Sequence, residues 1–137
     1  MKSFNGYRTI SFPANSDIVY IIGVEERNKF IPIYVGESSK NIGRIGDYVS
    51  AQFSAATDFK VGIAIKYLMK KEHKVIIKYK NSSDRKKEQN DAMGEIKIDG
   101  FRLLNDLGGY DYRTAKKEEE IRKIEDFIEE IIKIFNL

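Results

Sequence analysis

Two apolar runs constrain this chain more than anything else in it. Asp17 to Gly23 reads DIVYIIG and Phe30 to Gly36 reads FIPIYVG; both are short, β-branched and almost unbroken. That pattern marks buried strands. Only the polar stretch EERNK, 25–29, divides them, so they form a hairpin with a somewhat long turn. Pro32 cannot donate to a ladder, so it predicts an edge or a bulge at that point of the second strand. Ser38 or Ser39 can cap a helix over about 40–51, with Ile42, Ile45 and Val49 as its apolar stripe. A second helix over Phe59–Lys71 turns Val61, Ile65, Leu68 and Met69 inward. A third strand follows over His73–Lys80, with Val75, Ile77 and Tyr79 on one face. Asn81 to Asp84 supply a turn and a cap for a third helix over about 84–97, and Gly100 and Gly108–Gly109 break the chain around FRLLND. The reading is one α+β domain. A small central three-stranded, mostly antiparallel sheet is flanked by helices in the order β-β-α-α-β-α, with a core over about 17–106.

A C-terminal amphipathic helix over about 114–136 completes it. Ile121, Ile124, Ile128, Ile131 and Phe135 follow a 3-4-3-4 spacing, widened by Phe127, Ile132 and Ile134. Such a stripe docks on the chain's own core or pairs with a copy of itself. Isoleucine at both seams favours oligomers, although the run is under three heptads. A homodimer through this helix is therefore an expected alternative.

Composition narrows the chemistry. No apolar run approaches a membrane span, and the N-terminus MKSFNGYRTISF lacks the apolar centre of a signal peptide, so a cytoplasmic protein is expected. There is no cysteine, which excludes disulfides, thiolate zinc sites and a cysteine nucleophile. His73 is the one histidine. Any metal site must then lean on carboxylates and water, which favours Mg2+ or Mn2+. Net charge is +3 with a pI near 8.9. Between Lys60 and Lys87 ten basic residues face only Glu72 and Asp84, a net +8 that leaves the remainder acidic. This is either the footprint of a phosphate backbone or a solubilising lysine surface.

One stretch carries the chemistry. Tyr20 lies in the first strand and Tyr34 in the second, so the hairpin can bring two phenols together. Gly36 has no side chain, which allows a ligand or another backbone to approach. Arg44 comes eight residues later on the expected helix, and Tyr48, at i+4, shares its face. Phosphodiester hydrolysis needs a water, a group to take its proton, and positive charge on the phosphorane. Arg44 is shaped to fork two phosphate oxygens. A tyrosine serves as base when a nearby cation lowers its pKa. A carboxylate holding Mg2+ would complete the set, and Glu88 and Glu95 stand seven apart on one face of the third helix.

These residues resemble the GIY-YIG nucleases. Ile18-Val19-Tyr20 stands in place of Gly-Ile-Tyr, and Tyr34-Val35-Gly36 in place of Tyr-Ile-Gly. Arg44 falls at the family's essential arginine, Tyr48 at its His or Tyr one turn on, and Leu103-Leu104-Asn105 at its closing asparagine segment. The resemblance covers about 17–106. It implies an endonuclease that cleaves DNA with one divalent ion. Tyr20 would be the general base and Tyr34 a supporting hydroxyl. Arg44 would hold the scissile phosphate, with Lys40 adding charge nearby, and Asn105 would brace the site. Counting from the third strand makes Glu88 the metal ligand; counting back from Asn105 makes it Glu95. The first signature lacks its glycine, and the span from Tyr20 to Tyr34 is longer than usual. The alternatives are a nucleic-acid-binding or protein-interaction domain on the same fold without catalysis.

Overall fold

The computed structural model describes residues 17–38, 56–107 and 117–137. They form strands β1 (Ile18–Glu26) and β2 (Lys29–Ser38), helix α1 (Ala56–Lys70), strand β3 (Lys74–Asn81), helix α2 (Arg85–Ile98), a single 3-10 turn (Leu104–Asp106) and helix α3 (Lys117–Ile134). The expected helix over 40–51 lies outside the described residues.

The hairpin turn is tighter than the sequence suggested. Glu25, Glu26 and Lys29 belong to the strands, and only Arg27 and Asn28 turn. Both have positive φ, 53° and 65°. This left-handed pair matches the right-handed twist of the strands it joins. The sheet is antiparallel throughout, in the order β2-β1-β3. Pro32 marks both features it predicted. β2 is an edge strand, and its register slips between Ile22, opposite Tyr34, and Gly23, opposite Pro32. Ile33 is the extra residue of that bulge.

β1 is the central strand, and its two faces are covered by different helices. Ile18, Tyr20, Ile22 and Val24 share a core with Ile31, Ile33, Tyr34, Val75 and Ile77, packed beneath α1 and α3. Val19, Val35 and Leu103 form a smaller cluster, against which Ile21 and the α2 residues Ala92, Met93 and Ile96 pack. Cover on both faces is why β1 is apolar at nearly every position rather than at alternate ones.

The apolar stripe of the C-terminal helix faces inward. Ile124, Phe127, Ile128 and Ile131 are buried in the main core, each contributing about 1.5–3 kcal/mol. Tyr67 of α1 donates its hydroxyl to Glu129 of α3 at 2.7 Å, and Lys71 lies 3.1 Å from the same carboxylate. A dimer built on this stripe would have to use side chains already enclosed by the chain itself.

The three described helices end alike. Glu72, Gly100 and Asn136 take φ of 64°, 93° and 55°. Each precedes a residue whose N–H bonds five positions back: His73 to Leu68, Phe101 to Ile96 and Leu137 to Ile132. These are Schellman closures. Asp84 caps the start of α2 by accepting from the Lys87 N–H at 3.3 Å.

Candidate functional site

The hairpin does bring Tyr20 and Tyr34 together. Their ring centroids are 6.3 Å apart, inclined at 46°. Tyr20 stands opposite Gly36 in the β1–β2 ladder, and its ring lies across that glycine. An added Cβ at Gly36 would come within 3.0 Å of Cζ, Cε2 and the hydroxyl oxygen of Tyr20. The room left by Gly36 is therefore taken by a side chain of the same chain, not held open for a ligand. The glycine lets the phenol tip over β2 towards the open edge of the sheet. Tyr20 and Tyr34 are only 2% and 5% exposed, so their ring bodies are part of the core.

Between Tyr34 and Gly36, the edge of β2 is closed by Asn105. The Val35 N–H donates to Asn105 Oδ1 at 3.0 Å, and Asn105 Nδ2 donates to the Val35 carbonyl at 2.7 Å. One amide side chain thus serves as a one-residue partner strand. Gln89 of α2 adds a second donor to the same carbonyl, at 3.1 Å. The turn carrying Asn105 is anchored from both sides. Lys97 meets Asp106 at 3.2 Å, and Lys60 Nζ donates to the Leu107 carbonyl at 2.9 Å. Burial pushes the Lys60 pKa down, against the opposing pull of the Asp106 carboxylate.

The two carboxylates of α2 differ in kind. Glu95 is exposed and lines a groove of about 310 Å3 between α2 and β3, with Val19, Ile21 and Ala92 as its apolar floor and Lys78 and Lys80 opposite. Glu88 is half-buried. Its Oε2 is shielded from solvent and makes no hydrogen bond, although Lys80 Nζ lies 3.3 Å away. One turn earlier Arg85 bridges Glu37 and Asp17, reaching the latter at 3.5 Å. Val19 faces α2, and Lys80 is its partner in the β1–β3 ladder. Glu88 therefore sits on the α2 face beside β3, while Arg85 and Gln89 of the same helix reach Glu37 and Val35 of β2 and the tyrosines lie on the opposite face.

Among the described residues no three or more His, Cys, Asp or Glu side chains gather to hold a metal. A lone carboxylate still fits Mg2+, which keeps several waters and takes phosphate oxygens as further ligands. The unmet Oε2 of Glu88 suits that role better than the exposed Glu95. Lys40, Arg44 and Tyr48 lie outside the described residues.

Three polar residues near the site had escaped the sequence reading. Glu37, Arg85 and Gln89 join α2 to the end of β2. The spacing of Arg85, Glu88 and Gln89, at i, i+3 and i+4, could have shown a shared face. Arg85 also belongs to the basic segment, about half of whose cations meet acids in the fold. Lys71, Lys74, Lys80, Arg85 and Lys87 pair with Glu129, Glu25, Glu88, Glu37 and Asp91, and Lys60 is buried. The charge is segregated along the sequence, and in space it is partly offset by acids from other elements.

Comparison of the chain with protein-family models, with curated proteins and with solved structures finds no match. The likeness to GIY-YIG nucleases rests on the residues quoted above. Among the described residues, no helix is long and apolar enough to cross a membrane.

Proposed function

We propose that this chain is a divalent-metal-dependent endonuclease that hydrolyses DNA phosphodiester bonds. The observation that carries the reading is the two-point hold of Asn105 on Val35, beside a Tyr20 ring laid over Gly36. Hydrolysis of a phosphodiester depends on placing groups accurately, and these contacts fix the β2 segment that bears Tyr34 and over which the Tyr20 ring lies. Tyr20 takes the proton of the attacking water, with the Tyr34 hydroxyl beside it. Arg44 holds the scissile phosphate, supported by Tyr48 and Lys40. Glu88 is the metal ligand. Bound there, Mg2+ or Mn2+ would supply Lewis-acid stabilisation of the phosphate oxygens.

The test is nicking of supercoiled plasmid with Mn2+ or Mg2+, wild type beside Arg44→Ala. Nicking by the wild type, reduced at least about 100-fold in the variant, is the expected result. Wild-type rates in Arg44→Ala would sink the proposal.

A second reading is a nucleic-acid-binding domain without catalysis. The burial of both tyrosines favours it, because a phenol packed in a core needs no chemical role. On that reading no metal supports nicking, and a gel shift that weakens steeply with salt remains.

A further inference from the structure

We propose that Lys80 is a resident counter-ion for Glu88: it occupies the carboxylate while no divalent cation is bound, and gives it up when one binds. The inference rests on the reading of Glu88 as the metal ligand. It starts from an unusual pairing. Glu88 Oε2 is shielded from solvent, yet accepts no hydrogen bond. The Lys80 ammonium is 3.3 Å away but outside hydrogen-bonding geometry. The contact neutralises charge without meeting the oxygen's need for a directed partner. A shielded acceptor left in that state is costly, and a cation that coordinates oxygen directly would satisfy it better.

The surroundings leave Lys80 as the mobile member. Its side chain is 70% exposed against 29% for Glu88, so it can swing into solvent on its flexible stem. Two neighbouring cations of α2 are committed elsewhere. Arg85 spans Glu37 and Asp17, and Lys87 lies 3.0 Å from Asp91. Once displaced, the Lys80 ammonium stands at the wall of the α2–β3 groove next to Lys78. There it can receive a phosphate oxygen of a bound strand. Cation binding and nucleic-acid binding would then favour each other, and the coupling must be reciprocal.

The test reads cation binding directly, without cleavage. Mn2+ titrations followed by the electron paramagnetic resonance of the free ion compare wild type, Lys80→Gln and Glu88→Gln. Circular dichroism checks that each variant is folded. Lys80→Gln is expected to bind Mn2+ roughly fivefold more tightly, the equivalent of removing one exposed ion pair that competes for the site. Glu88→Gln is expected to lose the binding. As a second readout, Mg2+ should accelerate reductive methylation of Lys80 in the wild type. If Lys80→Gln binds Mn2+ no more tightly while Glu88→Gln still loses it, the counter-ion role is overturned and the metal reading stands. If the wild type binds no Mn2+, or Glu88→Gln binds as the wild type does, both are overturned.

Discussion

Replacing Gly36 by alanine tests the packing on which the candidate site depends. The new methyl group would lie within 3.0 Å of Cζ, Cε2 and the hydroxyl oxygen of Tyr20, where ordinary contacts begin at 3.4 Å. Tyr20 is 2% exposed, with the Tyr34 ring 6.3 Å away, so its ring cannot retreat without displacing core side chains. Forcing one extra carbon into a filled core costs about 2–3 kcal/mol. At roughly 2.1 cal/mol/K per residue, a chain of 137 residues loses about 3.5 °C of Tm per kcal/mol. Gly36→Ala should therefore melt about 7–10 °C lower. Gly94 provides a control within the same chain. It lies inside α2 with nothing within 4 Å of an added Cβ, so Gly94→Ala should raise stability by about 0.5–1 kcal/mol and Tm by about 2–3 °C. Urea denaturation of both variants is the assay, repeated in a Tyr20→Leu background. With the ring gone, the Gly36→Ala penalty should fall below about 0.5 kcal/mol. A Gly36→Ala protein as stable as wild type, or an equal penalty in both backgrounds, would refute the packing argument.

Other consequences are as direct. Asn105→Ala removes both side-chain bonds to Val35; stability should drop by about 2 kcal/mol, and amide exchange at Val35 should quicken by at least tenfold. Glu72 holds φ 64° at the end of α1, where Gly100 closes α2. Glu72→Gly should stabilise the chain by about 1 kcal/mol, read as a higher urea midpoint at unchanged slope. The Lys60 pKa lies below its usual 10.5 because burial disfavours the charged form. Between the lowered value and 10.5 the unfolded chain then binds more protons than the folded one, so stability from this group rises with pH through that window. Lys60→Met should flatten the rise, which urea curves at several pH values between 7 and 10.5 would reveal.

The elements set by apolar period were legible from the residues. β1, β3 and α3 fall within a few residues of their expected bounds. Their patterns record burial, and burial is what the fold enforces. α2 buries no residue fully and was legible instead from the turn and cap before it, at Asn81 to Asp84. The hairpin turn was misread because EERNK is polar throughout, and polarity does not separate strand from turn. Glu25 lies near the end of the central strand and Lys29 opens β2, and strand ends tolerate charge; Glu25 also meets Lys74 at 3.1 Å. Helix ends at Glu72 and Asn136 were hidden for a related reason. A non-glycine residue in the left-handed region is selected by the backbone bonds around it, not by its own type. The role of Gly36 was read as access, and it is contact. A glycine announces that something comes close, but the sequence does not name the neighbour.

The charge pattern shows the same limit with larger consequences for function. Ten cations in 28 residues suggested a surface for phosphates. Because β3 runs beside β1 and α2 crosses the sheet, those cations meet acids from β1, β2, α2 and α3. Any anionic strand must then displace existing pairs or use cations already free of them. This makes electrostatics along the sequence a poor guide to affinity here, and makes the few unsettled contacts more informative than the many settled ones. The clamp of Asn105 on Val35 serves an inert edge and a working site equally well, since closing an edge strand is useful in itself. Glu88 is different. A stable, purely structural pair would rotate the Lys80 ammonium into a hydrogen bond with the shielded oxygen. The oxygen instead stays without one, beside β3 on the face of the sheet opposite the phenols. If a cation completes it, Glu88 is a working residue of the α2 face. If none does, the hairpin and its clamp are a packing solution, and the function lies with whatever binds the fold.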